Sequence, residues 1–297
     1  MDKKKLHFEA NVILRLAIEV LKKKDNFASS LDSRILLGFA MGLERSIYPH
    51  ENIDITEEEI KAFNGLVKER QKGKPVSRII GKKEFWKLIF TIDESTLDPR
   101  PDSEVIIQTI LNHFYDKSEK LRVLDLGSGS GCLGLSIIDE YKNSDVLFFD
   151  ASKKSLAMVK FNALKHNLYK RVQFLHMNWF NKKWDKYILA IIKKTKFDII
   201  IANPPYILSD EINNLQTEVK KFEPILALDG GIDGLDSYRC IIPKIKNILA
   251  PDGKLFIEIG ENQESLINEI ASLNNLIFKE SNKDFSGITR VLVYGLN

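Results

Sequence analysis

The sequence has little cysteine and no long apolar run. Its 297 residues include two cysteines, Cys132 and Cys240, which lie far apart and form no CxxC pair. A disulfide framework and a cysteine-based zinc site are therefore excluded, and no metal is expected. No stretch approaches the roughly 18 consecutive apolar residues of a membrane span, and the start, MDKKKLHFEA, lacks the apolar core of a secretory signal. We expect a cytoplasmic protein without a membrane partner.

The sequence also lacks a strong excess of charge of either sign. The net charge is +3, with 44% hydrophobic and 29% charged residues, as is typical of soluble globular proteins. Lysine clusters at 22–24 and 193–196 are predicted to be solvated faces. Because the net charge is mild, we do not expect direct nucleic-acid binding. A monomer is the expected state.

The pattern of residues changes along the chain, whose length allows two domains. Over the first 70 or so residues, apolar positions recur near a 3.6-residue period, and Thr56 and Glu59 form a helix-capping pattern. We predict a helical recognition domain at 1–80, a β-hairpin connector at 81–98 and a catalytic domain at 99–297.

From residue 121 onward, strands alternate with helices. The strands are RVLDL, VLFFD, VQFLHM, FDIIIAN and GKLFIEIG, and the chain ends in two strands without a long helix between them. This alternation predicts an α/β, Rossmann-like fold with a mostly parallel sheet and an antiparallel C-terminal hairpin, preceded by the small helical domain. Ligands are expected at the carboxyl ends of the strands.

A glycine-rich segment, GSGSGCLG, follows the first of these strands. Gly129, Gly131 and Gly134 fit GxGxxG, and Asp150 closes the next strand. Taken alone, this pattern fits a dinucleotide site, in which the glycines admit a pyrophosphate and the acid binds a ribose. The motif therefore leaves NAD and S-adenosylmethionine both open as cofactors.

Two features of this segment favour S-adenosylmethionine. Asp125 ends the strand before the glycines, where its negative charge would repel a pyrophosphate but attract the ammonium group of the methionine moiety. Gly127, Gly129 and Gly131 leave room for the body of the cofactor. Asp150 remains the predicted ribose ligand with either cofactor.

The third strand is followed by HMNWF. Asn178 and Trp179 of this segment are suited to bind an adenine ring, the first by hydrogen bonding and the second by stacking. We predict that both residues contact the cofactor.

The fourth strand stops at Asn203, Pro204, Pro205 and Tyr206. Prolines cannot donate to a sheet, so they end the strand and leave backbone carbonyls free. The side-chain oxygen of Asn203 and the carbonyl of Pro204 can accept the two N–H groups of an amide or of an adenine amine. They would hold that nitrogen against the sulfonium methyl group, so that Asn203 is predicted to contact the cofactor as well as the substrate, and Tyr206 could lie over the flat substrate group. This arrangement predicts methyl transfer to nitrogen without a general base or a metal.

Beyond these strand ends, the sequence resembles the release factor glutamine methyltransferases, the HemK/PrmC family. The resemblance covers most of the chain and rests on GKKEFWKLIFTID, LDPRPDSE, VLDLGSGSG, FDIIIANPPYI, FEPILAL and DFSGITRVL. NPPY alone is shared with adenine-directed DNA and RNA methyltransferases. Its combination with PRPDSE and FEP is much more specific to this family.

The resemblance implies a class I S-adenosylmethionine-dependent methyltransferase. Its substrate would be the side-chain amide N5 of the glutamine in the Gly-Gly-Gln motif of class-1 peptide chain release factors, so that the activity tunes translation termination. Asn203, Pro204, Pro205 and Tyr206 would hold this glutamine. The resemblance implies that further residues close the pocket near the substrate: Arg100, Pro101, Glu104, Phe222, Glu223 and Pro224.

Two positions depart from the family's pattern. Asp98 places a charge before the PRP segment, and Asn178 stands where an aspartate is common, so weaker or altered adenine contact is expected.

Two alternative functions share this chemistry: a ribosomal-protein glutamine methyltransferase, which has the same catalytic domain, and an adenine N6 nucleic-acid methyltransferase. An NAD-dependent oxidoreductase would leave NPPY without a task, and a non-catalytic binding module would leave Asp150 and Asn203 without one.

Overall fold

The structure, a computed structural model, describes residues 5–23, 28–193 and 195–297. Lys24 and Lys194 of the two lysine clusters lie outside these residues. The chain forms two compact units: the described residues up to Gly81 together with 217–222, and residues 82–216 together with 223–297. The boundaries inferred from the sequence, 1–80, 81–98 and 99–297, stay a prediction beside this division.

The first unit is mainly helical. Its elements are β1 (Lys5–Glu9), α1 (Ala10–Lys22), α2 (Ser29–Ala40), β2 (Asn52–Thr56), α3 (Glu57–Gln71) and α4 (Val76–Ile80). Apolar side chains recur along one face of each longer helix and close on one core that includes Leu14, Leu36 and Phe63. Thr56 Oγ1 accepts the Glu59 N–H at 3.2 Å while the Glu59 carboxylate accepts the Thr56 N–H at 2.7 Å. The predicted capping box is therefore present at the start of α3.

A two-stranded antiparallel ribbon was not predicted from the helical periodicity of this region. β1 pairs with β2, with Lys5 opposite Thr56 and Glu9 opposite Asn52. Each strand has five residues. Strands this short lie directly before helices, so the helical periodicity of the neighbouring residues masks them when the apolar pattern is judged over a longer stretch of sequence.

A buried arginine joins the segment 217–222 to the rest of the first unit. The Arg70 side chain is 6% exposed and pairs with Asp32 at 2.6 Å and with Glu218 at 2.7 Å. Two carboxylates thus offset the cost of burying the guanidinium, and removal of the arginine would leave charge without its partner.

The second unit contains a seven-stranded sheet and a separate hairpin. The hairpin is formed by β3 (Lys82–Phe85) and β4 (Leu88–Thr91). The elements up to the fourth sheet strand are α5 (Glu104–His113), β5 (Arg122–Leu126), α6 (Cys132–Glu140), β6 (Asp145–Asp150), α7 (Lys153–Lys165), β7 (Val172–His176), α8 (Trp184–Ile191) and β8 (Phe197–Ala202). After α9 (Thr217–Phe222), which belongs to the first unit, follow α10 (Asp236–Ile248), β9 (Leu249–Glu258), α11 (Glu264–Leu273), β10 (Ile277–Lys283) and β11 (Thr289–Gly295).

The strand order of the sheet is β10-β11-β9-β8-β5-β6-β7. The pairs from β9 to β7 are parallel, whereas β11 is antiparallel to both β9 and β10. Val123, Leu124, Ile199 and Ile200 are fully buried, as expected of parallel strands covered on both faces. The predicted mostly parallel sheet with an antiparallel C-terminal hairpin is confirmed. Among the described residues, no helix combines the length and apolar character needed to cross a membrane.

Candidate active site

The carboxyl ends of the parallel strands border a cavity of 470 Å³ within the second unit. Four neighbouring strands supply residues to its wall. The lining residues are the glycine loop after β5, Asp150 at the end of β6, Asn178 and Trp179 after β7, and Asn203 after β8. Parallel strands bring their carboxyl ends to one edge of the sheet, which explains how residues far apart in sequence share one cavity.

The glycine loop depends on backbone conformations that other residues rarely adopt. Gly127, Gly129 and Gly131 have φ values of +79°, +53° and +81°. A Cβ atom on Gly127 would lie 3.1 Å from the Trp179 ring, and one on Gly131 would lie 2.9 Å from Val159 Cγ1. Glycine at these positions therefore keeps the loop close to its neighbours without narrowing the cavity.

Asp150 is hydrogen-bonded to the backbone of this loop. Its Oδ2 accepts the Gly129 N–H at 3.0 Å, and its Oδ1 accepts the Ser152 N–H at 2.7 Å. Burial raises the pKa of this carboxyl, while the two backbone hydrogen bonds act in the opposite direction. Each carboxylate oxygen retains a lone pair, so the fixed side chain can still accept from a ribose hydroxyl in the cavity.

Asp125 lies beneath the loop. Its side chain is 1% exposed, and its Oδ2 accepts the Gly134 N–H at 2.9 Å. Burial raises the pKa of Asp125 to about 7. The residue is not part of the cavity wall, and its contact with an ammonium group stays a prediction. Within the described part of the chain, no group of three or more His, Cys, Asp or Glu side chains is placed to hold a metal ion.

Trp179 and Asn178 line the cavity beside the glycine loop. The Trp179 ring is nearly parallel to Phe149, with an interplanar angle of 8° and centroids 6.3 Å apart. The buried Trp179 Nε1 has no hydrogen-bond partner among the described residues. Asn178 is exposed, and its Oδ1 accepts the Phe180 N–H at 2.9 Å. The contact of Trp179 and Asn178 with an adenine ring stays a prediction.

Asn203 and Pro204 offer hydrogen-bond acceptors directly after β8. The Asn203 Nδ2 group donates to Ser103 Oγ at 3.1 Å. No hydrogen bond from a described residue reaches Asn203 Oδ1 or the Pro204 carbonyl. Asn203 and Pro205 line the cavity, whereas Pro204 is buried outside its wall, and the contact of the Pro204 carbonyl with a substrate stays a prediction. The prolines end the strand because they lack an N–H group, so the ladder cannot continue past Ala202.

Tyr206 is partly buried and is not among the residues of the cavity wall. Burial raises the pKa of its hydroxyl to about 12. Its backbone carbonyl accepts from Gln263 Nε2 at 3.1 Å, and Gln263 Oε1 accepts the Gly260 N–H at 2.9 Å. The turn is therefore fixed from the side of β9, and the predicted role of Tyr206 over the substrate stays a prediction.

The structure brings together Arg100 and Glu223, two of the residues that the resemblance implied. Glu223 is 6% exposed, and its carboxylate accepts from Arg100 Nη2 at 2.9 Å and from the Asp98 N–H at 3.1 Å. Arg100 and Asp98 line the cavity. Glu104 does not reach it, since its Oε1 accepts the Trp86 N–H at 2.7 Å.

Three further residues that the resemblance implied lie in different parts of the structure. Pro224 lines the cavity, whereas Phe222 belongs to α9 and hence to the first unit. Pro101 opens the 3-10 turn that leads into α5. Their contacts with a substrate stay predictions.

Sequence reasoning missed three buried polar residues that support the site: Ser103, Glu258 and Gln263. Ser103 Oγ lies 2.5 Å from Glu258 Oε2. Burial raises the pKa of Glu258 to about 7, against the lowering effects of the Ser103 hydrogen bond, of Arg290 and of a hydrogen bond from the Asn203 side chain. The signal was available for Glu258, because it is a lone acid in the apolar run LFIEIG at the end of a predicted strand.

Two family models match parts of the chain. Residues 100–222 match the methyltransferase small domain, and residues 13–81 match the PrmC N-terminal domain. The first range contains the glycine loop and the NPPY turn, and the second covers most of the first unit.

Curated relatives match nearly the whole chain. The release factor glutamine methyltransferase of Caulobacter vibrioides is 34% identical over 89% of this chain and 88% of its own length. The enzyme of the same name from Clostridium botulinum is 36% identical over 92% of this chain and 94% of its own length. A bifunctional methyltransferase of Rickettsia felis is 31% identical over 97% of this chain, but the chain spans only 58% of that protein.

Proposed function

The chain belongs to the release factor glutamine methyltransferase family, and we propose that it methylates the glutamine in the Gly-Gly-Gln motif of class-1 peptide chain release factors. The methyl donor is S-adenosylmethionine, and the acceptor is the side-chain amide N5. The relatives that match nearly the whole chain support this substrate. In this proposal the enzyme works as a cytoplasmic monomer and tunes translation termination.

The observation that carries the proposal is the pair of unengaged acceptors after β8. Asn203 Oδ1 and the Pro204 carbonyl can accept the two N–H groups of a primary amide. The lone pair of an amide nitrogen is delocalised, so the nitrogen attacks poorly unless it is held and its developing positive charge is stabilised. Two fixed acceptors provide both effects without a proton being removed first.

The cavity residues fit S-adenosylmethionine. Gly127, Gly129 and Gly131 leave its body room, Asp150 would accept from the ribose, and Trp179 would pack on the adenine. When bound, S-adenosylmethionine supplies a methyl group on a positively charged sulfur that keeps the bonding electron pair as the methyl group leaves.

The acceptor nitrogen gains the methyl group and then carries one proton in excess. Such a proton is strongly acidic and passes to water. The pKa of Tyr206 is raised to about 12 by burial, so the phenol stays neutral and is not the base. Asn203 and Pro204 therefore position and stabilise, and the net change replaces one amide proton by a methyl group.

The proposal is tested by transfer of labelled methyl from S-adenosylmethionine to an unmodified class-1 release factor. Wild-type enzyme is expected to label it, whereas a release factor with Gln→Ala in the Gly-Gly-Gln motif stays unlabelled. Asn203→Ala enzyme should bind the cofactor but transfer little label. Asn181→Ala, at an exposed asparagine, is the matched control.

Ribosomal proteins and duplex DNA are tested beside the release factor. Label on either of them, with none on the release factor, would refute the proposed substrate while leaving methyl transfer intact. Label on the release factor that survives Gln→Ala would refute the proposed acceptor.

A further inference from the structure

Glu258 is a buried carboxylate that the proposed reaction does not use. It is 2% exposed at the end of β9, the strand next to β8 in the sheet. Ala202 and Ile257 are partners in the register between these parallel strands. Asn203 and Glu258 therefore lie next to each other at the ends of neighbouring strands.

The Asn203 side chain lies within hydrogen-bonding range of the Glu258 carboxylate, and two hydrogen bonds also link the two residues through Ser103. Asn203 Nδ2 donates to Ser103 Oγ at 3.1 Å, and Ser103 Oγ donates to Glu258 Oε2 at 2.5 Å. A carboxylate can only accept, and a hydroxyl has one proton. When the Ser103 hydroxyl donates its hydrogen bond to Glu258, Ser103 has no further hydrogen to donate. The Ser103 oxygen can then only accept a hydrogen bond from Asn203. The amide NH₂ of Asn203 must then face Ser103.

The orientation of this amide decides whether the site has an acceptor. With the NH₂ group on Ser103, Oδ1 is left without a donor from any residue that the structure describes. If the amide were reversed, a second donor would face the N–H groups of the substrate. We propose that Glu258, acting both directly and through Ser103, is a positioning residue that keeps Asn203 Oδ1 directed at the substrate amide. This inference rests on the proposed function.

The direction of the two hydrogen bonds depends on the charge of Glu258. A protonated carboxyl can donate to Ser103, whose own proton is then available to Asn203 Oδ1, and the reversed amide becomes favourable. The groups that face Glu258 act on this charge from several elements. They are Ser103, Asp102, Asn203, Tyr238, Arg290 and Tyr206.

The opposing effects of these groups leave the pKa of Glu258 at about 7. The positioning is therefore expected to be lost as the pH falls through neutrality. Glu258 is outside the cavity wall, whereas Ser103 and Asn203 line it. The role assigned to Glu258 is therefore to orient the amide of Asn203 and not to contact the substrate.

The test compares Glu258→Gln with wild type, because glutamine keeps the shape but can donate to Ser103. We expect kcat for methyl transfer to the release factor to fall about 10-fold to 100-fold, with the KM for S-adenosylmethionine unchanged. The decrease of kcat at acidic pH should disappear in the variant. Glu261→Gln, which removes the same charge at an exposed position, should behave as wild type.

Ser103→Ala provides a second route to the same result. It should lower kcat in the same direction as Glu258→Gln, and the double variant should be no worse than Glu258→Gln alone, because both changes act on the one link between the carboxylate and Asn203. Wild-type kcat and pH profile in Glu258→Gln, or additive losses in the double variant, would overturn the positioning role. A raised KM for the cofactor with unchanged kcat would also overturn it.

An NMR measurement separates this inference from the proposed function. The side-chain NH₂ signals of Asn203, in enzyme labelled at asparagine, should shift between pH 6 and pH 8 in wild type and not in Glu258→Gln. Signals that are insensitive to pH in wild type would refute the positioning inference whatever the substrate is. A wild-type enzyme that leaves the release factor unlabelled, while these signals titrate, would refute only the proposed function.

Discussion

Glu258→Gln is expected to increase the free energy of unfolding at pH 8 much more than at pH 5. The carboxyl is 2% exposed, and burial raises its pKa from an ordinary value of 4.5 to about 7. Glutamine fills nearly the same volume without a charge in either the folded or the unfolded chain. The variant therefore removes the titration of the Glu258 carboxyl but leaves the packing around this side chain nearly unchanged.

The sign and size of the effect follow from proton linkage. Between pH 4.5 and pH 7 the folded protein retains a proton that the unfolded chain has released, so stability falls as the pH rises through this window. A shift of about 2.5 pH units at about 1.4 kcal/mol per unit amounts to about 3 kcal/mol over the whole window. Between pH 5 and pH 8 the difference between variant and wild type should change by about 2 to 3 kcal/mol.

The assay is urea unfolding followed by tryptophan fluorescence. Trp86, Trp179 and Trp184 all lie in the second unit, so the signal reports the unit that contains Glu258. Curves are measured at pH 5, 6, 7 and 8 for wild type, Glu258→Gln and the exposed control Glu261→Gln. A stability difference that stays constant over this range would show that Glu258 titrates normally and would refute the reasoning.

Three further substitutions test other parts of the structure. Asn203→Ala should lower kcat about 100-fold to 1000-fold, the size found when a fixed hydrogen-bonding group at a reacting centre is removed, with cofactor affinity kept in a calorimetric titration. Gly131→Ala should destabilise the second unit by about 1 to 2 kcal/mol and weaken cofactor binding, because its φ is +81°; unchanged urea midpoints would contradict this. Arg70→Met should destabilise the first unit by about 3 to 5 kcal/mol by leaving Asp32 without its 2.6 Å partner, seen as faster hydrogen exchange in 57–71.

Much of the second unit could be predicted from the sequence because its signals are local. Apolar runs of strand length end on a residue that cannot continue them, such as glycine after Leu126 or proline after Asn203. In a parallel sheet such ends share one edge. Asp150, Trp179 and Asn203 accordingly line one cavity, although 53 residues separate the first from the last.

Contacts between distant segments could not be predicted in the same way. Glu104 belongs to the PRPDSE segment, yet its carboxylate holds the Trp86 N–H instead of facing the cavity. The ribbon formed by β1 and β2 depends on pairing across 43 residues, from Glu9 to Asn52 at its nearest pair. Residue types limit which hydrogen bonds can form, but the partner is chosen by the packing of the whole unit.

The pair of Asn203 and Glu258 shows where this limit lies. The rule that polar residues at strand ends mark a site applies equally to FDIIIAN and to LFIEIG. Only FDIIIAN indicates a site from sequence alone, because the chemistry of an asparagine followed by two prolines can be derived from one segment. The effect of Glu258 requires the order of β8 and β9 in the sheet, their register, and a serine from the start of α5 that completes the link. A lone acid in a buried strand end is therefore best interpreted together with the adjacent strand, because its charge determines which way the neighbouring amide faces.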